Sequence, residues 1–245
     1  MNTPQHSQVA LIAGVGDGLG GAIARRFAQA GYATVLVARS MDRLTRIAGE
    51  IEAGGGRSIA YAADIREEQA VSKLFDDVEA QIGPVTVAVF NAGGNYRNSI
   101  LDMPAEMFEQ VWRLSCFAGF LVGREAARHM APRSRGSILF TGATASVRGG
   151  AQFAAFAAAK GGLRQVAQSM ARELGPQGIH VGHVIVDGLI DSPRVRERMP
   201  ERVAAAGEDG MLKPAEIAES YLQLHEQARS AWTFELDLRP WKEKF

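Results

Sequence analysis

The chain has 245 residues, 47% hydrophobic and 22% charged, enough apolar matter for one sizeable core in a single larger domain. Its 27 basic side chains balance 27 acidic ones, which argues against a nucleic-acid or membrane-surface partner engaged through bulk charge. A single cysteine, Cys116, excludes an internal disulfide, and the polar start Met1 to Gln8 lacks a basic-then-apolar secretory pattern. With no apolar run long enough to span a bilayer, a cytoplasmic protein is expected.

Val9 to Ala13 reads as a short buried strand, and Gly14, Gly18 and Gly20 follow it as G-x-x-x-G-x-G. A helix then runs from about Gly21 to Ala30, in register with Leu19, Ile23 and Phe27 on one face. Such a turn lets backbone N–H groups and a helix N-terminus approach a pyrophosphate closely, because no Cβ intervenes. Thr34 to Ala38 is a second strand ending at Arg39 and Ser40, and Met41 to Ala53 a helix stopped by three glycines. Ser58 to Ala62 is a third strand ending at Asp64, and Glu67 to Ile82 a helix. Val85 to Phe90 is a fourth strand running into Asn91, Ala92 and Gly93.

Pro104 to Met130 holds one or two helices, and Gly136 to Thr141 is a fifth strand that ends at Gly142, Ala143 and Thr144. Gln152 to Leu174 is a long alanine-rich helix, Ile179 to Val186 a sixth strand, and Asp187 and Gly188 follow. The charged stretch 193–212 has the character of a flap over a substrate site. Pro214 to Gln227 is a helix, and Ala231 to Leu238 a last strand. Nearly all-apolar strands alternating with helices indicate a single α/β domain: a doubly wound, Rossmann-type parallel sheet of about seven strands with helices on both faces. Such a sheet binds ligands at the carboxyl ends of its strands.

The order of these motifs resembles the short-chain dehydrogenase/reductase family over essentially the whole chain. The resemblance implies an NAD(P)(H)-binding oxidoreductase acting on a small molecule as a homodimer or homotetramer. Gly14, Gly18 and Gly20, with Asp17 and Leu19 between them, match the cofactor loop. Asp64, with Ile65 beside it, matches the aspartate that meets the adenine amino group, and Asn91, Ala92 and Gly93 match the N-A-G motif near the adenosine ribose. Lys160 matches the lysine of Y-x-x-x-K, and Gly188, Ile190 and Ser192 resemble the stretch that touches the nicotinamide carboxamide. Arg39 favours NADP(H) over NAD(H), since an arginine there suits a 2′-phosphate, with Ser40 as a second contact. Asp17 opposes that preference if its carboxylate points toward the phosphate.

The family's proton chemistry is missing. Phe156 stands where a tyrosine is usual, Ala143 where a serine is, and Cys116 where an asparagine is, so only Lys160 of the four remains. Losing a positioned acid costs on the order of 10²–10⁴-fold in rate. Thr144 is the weak substitute, against the simpler reading of a loop threonine bonded to its own backbone. Ser146 and Arg148 lie on the same loop, and Ser115 is expected to point elsewhere. Asp187 faces the nicotinamide site as a new acid or base, or merely forms a turn; the two readings are level. No metal site is expected: the odd separation of His180 and His183 puts them on opposite faces of a strand, and His129 and His225 read as helix-surface positions. The aromatic tail through Trp232, Phe234 and Trp241 to Phe245 packs against a neighbouring subunit or against its own core edge. Two functions follow: an oxidoreductase with a non-standard proton donor, or a catalytically silent nucleotide-binding homologue acting through partners or its oligomer.

Overall fold

Seven strands form one sheet in the computed structural model, which describes residues 8–243, and every neighbouring pair in it is parallel. The polar start before Gln8 and the last two tail residues lie outside the described residues. In chain order the elements are β1 (Val9–Ala13), α1 (Leu19–Gln29), β2 (Ala33–Ala38), α2 (Met41–Ala53), β3 (Arg57–Ala62), α3 (Glu68–Gln81) and β4 (Val85–Phe90). After β4 come α4 (Ala105–Trp112), a π-helical turn (Arg113–Phe117), α5 (Ala118–Met130), β5 (Gly136–Thr141) and α6 (Ala154–Leu174). The chain closes with β6 (Ile179–Val186), α7 (Pro193–Arg198), α8 (Pro200–Ala206), α9 (Pro214–Glu226) and β7 (Glu235–Leu238).

The strand order is β3-β2-β1-β4-β5-β6-β7, so the winding reverses between β1 and β4 and opens a crevice at their carboxyl ends. Strands β1, β4 and β6 are buried at every residue because helices cover both faces. Alternate side chains therefore feed two cores. Val9 and Leu11 pack with Val71 and Phe75 of α3, Leu121 of α5 and Leu163 of α6. Ala10 and Ile12 pack with Ile23 and Phe27 of α1, Ile47 of α2 and Tyr221 of α9. Among the described residues no helix is long and apolar enough to cross a membrane.

Some boundaries differ from those the sequence suggests. Helix α1 begins at Leu19, with Gly20 and Gly21 inside it and packed against the carbonyl oxygens of Gly14 and Gly16. Strand β7 begins only at Glu235, because a turn over Arg229–Ala231 precedes it and Trp232 lies flat on His180, ring centroids 4.9 Å apart. The charged stretch 193–212 is two short helices, closed at its base by the bridge from Ile190 to Leu212. Phe234 packs on the chain's own core, whereas Trp241 is 77% exposed.

Candidate active site

The turn after β1 is shaped by backbone contact. Gly14 has φ +98°, and a Cβ there would fall 2.5 Å from the Ala92 nitrogen. Asn91 braces this turn: its amide donates to the Gly14 carbonyl at 3.0 Å, and its oxygen accepts from the Thr141 hydroxyl at 3.0 Å. Thr141 in turn shares a 2.6 Å hydrogen bond with the buried Tyr221 hydroxyl. Gly18 is different. A Cβ there would meet only the Ser192 Cβ, at 3.5 Å, so the N-cap of α1 has an open side. The N–H groups of a helix's first turn have no acceptor within the helix. This turn fits a pyrophosphate.

At the far end of the crevice Arg39 and Ser40 are exposed beyond β2. The Asp17 carboxylate is ion-paired with Arg46 and lies 3.9 Å from Arg43, so its charge is directed onto α2. Asp64 is clasped by Arg66, with contacts of 2.9 and 2.5 Å, and these hydrogen bonds hold its carboxyl below the ordinary range. Arg66 thus already engages both oxygens the sequence offered to an adenine amino group. Ile65 is buried in the core cluster beside α3, and its side chain is not open to the crevice.

A cleft of about 620 Å³ lies above β4, β5 and β6. Leu19 at the start of α1, Gly93, Ala143, Thr144, Phe156 and Lys160 all line it, as do Gly188 and Ile190. Lys160 is 4% exposed, and its ammonium donates to the Thr141 carbonyl at 2.7 Å. Burial pulls its pKa down to about 8. A Cβ on Gly93 would sit 3.3 Å from that nitrogen, so glycine keeps the approach open. One helical turn before Lys160, Phe156 presents a ring with no proton to give.

The family model for short chain dehydrogenases matches residues 8–203. This chain belongs to the short-chain dehydrogenase family. It is 32% identical to elsinochrome reductase 1 of Elsinoe fawcettii over 183 residues, 74% of this chain and 68% of that one. Among solved structures it is similar to a short-chain dehydrogenase from Rhodopseudomonas palustris, with 43% identity, a TM-score of 0.83, and 97% and 100% of the two chains covered. A metagenomic short-chain oxidoreductase in complex with NADP gives 28% identity and a TM-score of 0.81 over 95% and 96% of the chains.

In this short-chain dehydrogenase Thr144 does not bond its own backbone through its side chain. Its hydroxyl donates to the carboxylate of Asp187, which is 6% exposed and lies behind the cleft wall. The other Asp187 oxygen is 3.5 Å from Arg239, and the Asp187 N–H donates to the Leu238 carbonyl at 2.8 Å. Asp187 therefore holds Thr144, a role neither sequence reading contained. Ser146 is also internal, accepting from the Ala143 N–H at 3.1 Å, while Arg148 stands exposed on the cleft rim.

The π turn redirects the helix beside the cleft. Cys116 points at α6, where a Cβ on Gly162 would sit 2.9 Å from its sulfur, and burial pushes the thiol pKa up. Ser115 is fully buried, lies 3.5 Å from the Cβ position of Gly93, and finds no hydrogen-bond partner among the described residues. The side chain facing the Lys160 region is thus Ser115, not Cys116. A π turn adds one residue per turn and rotates the following register, and spacing read as α-helical cannot anticipate it.

His183 is fully buried against Gly142, with Nδ1 2.9 Å from Glu235, and burial pulls its pKa to about 4. His225 is half-buried rather than freely exposed: its nitrogens lie 2.8 Å from Ser137 Oγ and 2.8 Å from the Tyr32 hydroxyl, and its pKa also falls to about 4 through burial. His129 stacks on Phe75 at 5.9 Å. Among the described residues no group of three or more His, Cys, Asp or Glu is placed to hold a metal.

Proposed function

We propose that this short-chain dehydrogenase is an oxidoreductase that uses NADP(H) in preference to NAD(H), with a proton source other than tyrosine. One observation carries the reading: Leu19 at the N-terminus of α1 and the buried Lys160 ammonium line the same cleft. The first-turn amides from Gly18 to Gly20 would hold the pyrophosphate, and Asn91, Ala92, Gly93 and Lys160 the riboses. Asp64 and Ile65 would flank the adenine, and Gly188, Ile190 and Ser192 the carboxamide. Arg39 and Ser40 take the 2′-phosphate, a reading supported by Asp17 being neutralised on α2 and by the NADP in the metagenomic relative. When bound, the nucleotide supplies or accepts hydride; the chain binds, orients and excludes water. Imines and activated alkenes suit a cleft walled by Phe156 and Ala143, because their reduction needs no strong acid. The helices over 193–206 close the substrate side, and the assembly is a homodimer or homotetramer.

The absence of a phenol and a serine at those two cleft positions favours one rival, a catalytically silent nucleotide-binding homologue. Titration with NADPH and NADH, followed by fluorescence, tests the first reading. Tight NADPH binding with weak NADH binding is expected, followed by turnover in a screen of imines, activated alkenes and carbonyls. Binding without turnover leaves the silent homologue; no binding of either nucleotide overturns both.

A further inference from the structure

A hydroxyl has one proton to give. In Thr144 that proton is directed at one oxygen of the Asp187 carboxyl group, whose other oxygen lies 3.5 Å from Arg239. Arg239 and the hydrogen bond from the Asp187 N–H to the Leu238 carbonyl hold that side chain in place behind the cleft wall. The loop bearing Thr144 cannot easily turn away. It forms a tight turn in which the Thr144 carbonyl accepts from the Val147 N–H at 3.1 Å and the Arg148 N–H at 3.2 Å, with Ser146 anchored to the Ala143 N–H. What Thr144 offers the cleft is therefore its lone pairs.

We infer that Thr144 and Asp187 select substrates presenting a hydrogen-bond donor to the cleft, a hydroxyl or a protonated nitrogen, over carbonyl compounds of the same shape. A ketone oxygen placed against Thr144 would bring acceptor to acceptor, with no proton between them. An alcohol of the same skeleton would complete a chain from its own O–H through Thr144 to Asp187. Phe156 and Phe153, which line the same cleft, supply no donor for a ketone oxygen. This inference deepens the reading of the cleft as a substrate site and rests on it, but it concerns which partner the wall accepts rather than which nucleotide is bound.

The test is equilibrium binding of three probes of one skeleton, 1-indanol, protonated 1-aminoindane and 1-indanone, to the protein with and without NADP(H), by calorimetry or ligand-observed NMR. The donor probes are expected to bind roughly tenfold more tightly than the ketone, the difference one hydrogen bond to a charge-assisted acceptor makes. Comparison of the alcohol with the ammonium shows which donor the site takes. Thr144→Val should abolish the preference, and Thr144→Ser should keep it. Asp187→Asn should reverse it, because an amide can donate to Thr144 and free the hydroxyl proton for the cleft. A wild-type cleft that binds ketone and alcohol equally, prefers the ketone, or takes none of the three overturns the inference. So does an Asp187→Asn variant that melts like wild type yet keeps the donor preference. Donor preference in a protein that binds no nucleotide would leave the inference standing and sink the oxidoreductase.

Discussion

The side-chain amide of Asn91 donates to the carbonyl oxygen of Gly14 at 3.0 Å, tying the end of β4 to the turn after β1 across the crevice where the sheet reverses. Because the Ala92 backbone lies directly against Gly14, Gly14→Ala meets both a positive φ and a clash. It should lower stability by roughly 2–4 kcal/mol. Gly31 is the control: it has φ +91° but open space around it, so Gly31→Ala should cost only about 1 kcal/mol. Thermal and denaturant melts of the two variants separate backbone strain from contact; equal losses would show that the Ala92 contact yields freely.

Phe156→Tyr with Ala143→Ser puts a phenol and a hydroxyl into the cleft wall near the Lys160 ammonium. Steady-state reduction of simple ketones should rise on the order of 10²-fold, the worth of a positioned general acid. No gain would mean that the cleft has changed beyond these two positions.

Arg39→Asp replaces a cation at the end of β2 with a carboxylate suited to ribose hydroxyls. The ratio of the dissociation constants for NADH and NADPH should move toward NADH by at least roughly tenfold. Unchanged constants for both nucleotides would remove Arg39 from the site.

Lys160 has its pKa lowered by burial to about 8, so native protein binds fewer protons than unfolded chain between that pH and the lysine's ordinary value. Stability should therefore rise with pH over that interval, and below it the native state bears the full cost of a buried charge, about 3 kcal/mol. Lys160→Met should stabilise the protein at pH 7 and flatten its alkaline stability profile, as denaturant melts from pH 7 to 10 would show. An unchanged profile would mean the ammonium is better solvated than its burial implies.

His183 and His225 are held neutral in the fold, each with a pKa near 4 through burial. Unfolding lets them take protons, so stability present above about pH 6.5 should be lost as pH falls toward 4, roughly 2–3 kcal/mol for each residue. His225→Gln, which can still reach Ser137 and Tyr32, should remove its share of the acid sensitivity. A variant melting with the wild-type acid slope would place the loss elsewhere.

The sequence determined by itself what depends on neighbours in the chain. Apolar runs at strand length, stripes at helical spacing and glycines at 14, 18 and 20 specify local conformation, and they led to the doubly wound parallel sheet, while Lys160 came from the resemblance to the family's Y-x-x-x-K motif. Side-chain partners across the fold are a different matter. Thr144 and Asp187 lie 43 positions apart, Asp17 and Arg46 lie 29 apart, and His225 meets Tyr32 across 193 residues. No periodicity records such pairs, because they form only when β5 is set beside β6, or α1 beside α2 and α9. The choice of Ser115 over Cys116 was decided in the same way, by a π turn that packing against α6 sustains and whose extra residue no local pattern marks. The strands and their alternation with helices were written in hydrophobic periodicity; their order in the sheet, and the hydrogen-bonding character of the cleft wall, were settled only by which elements and side chains the fold brought together.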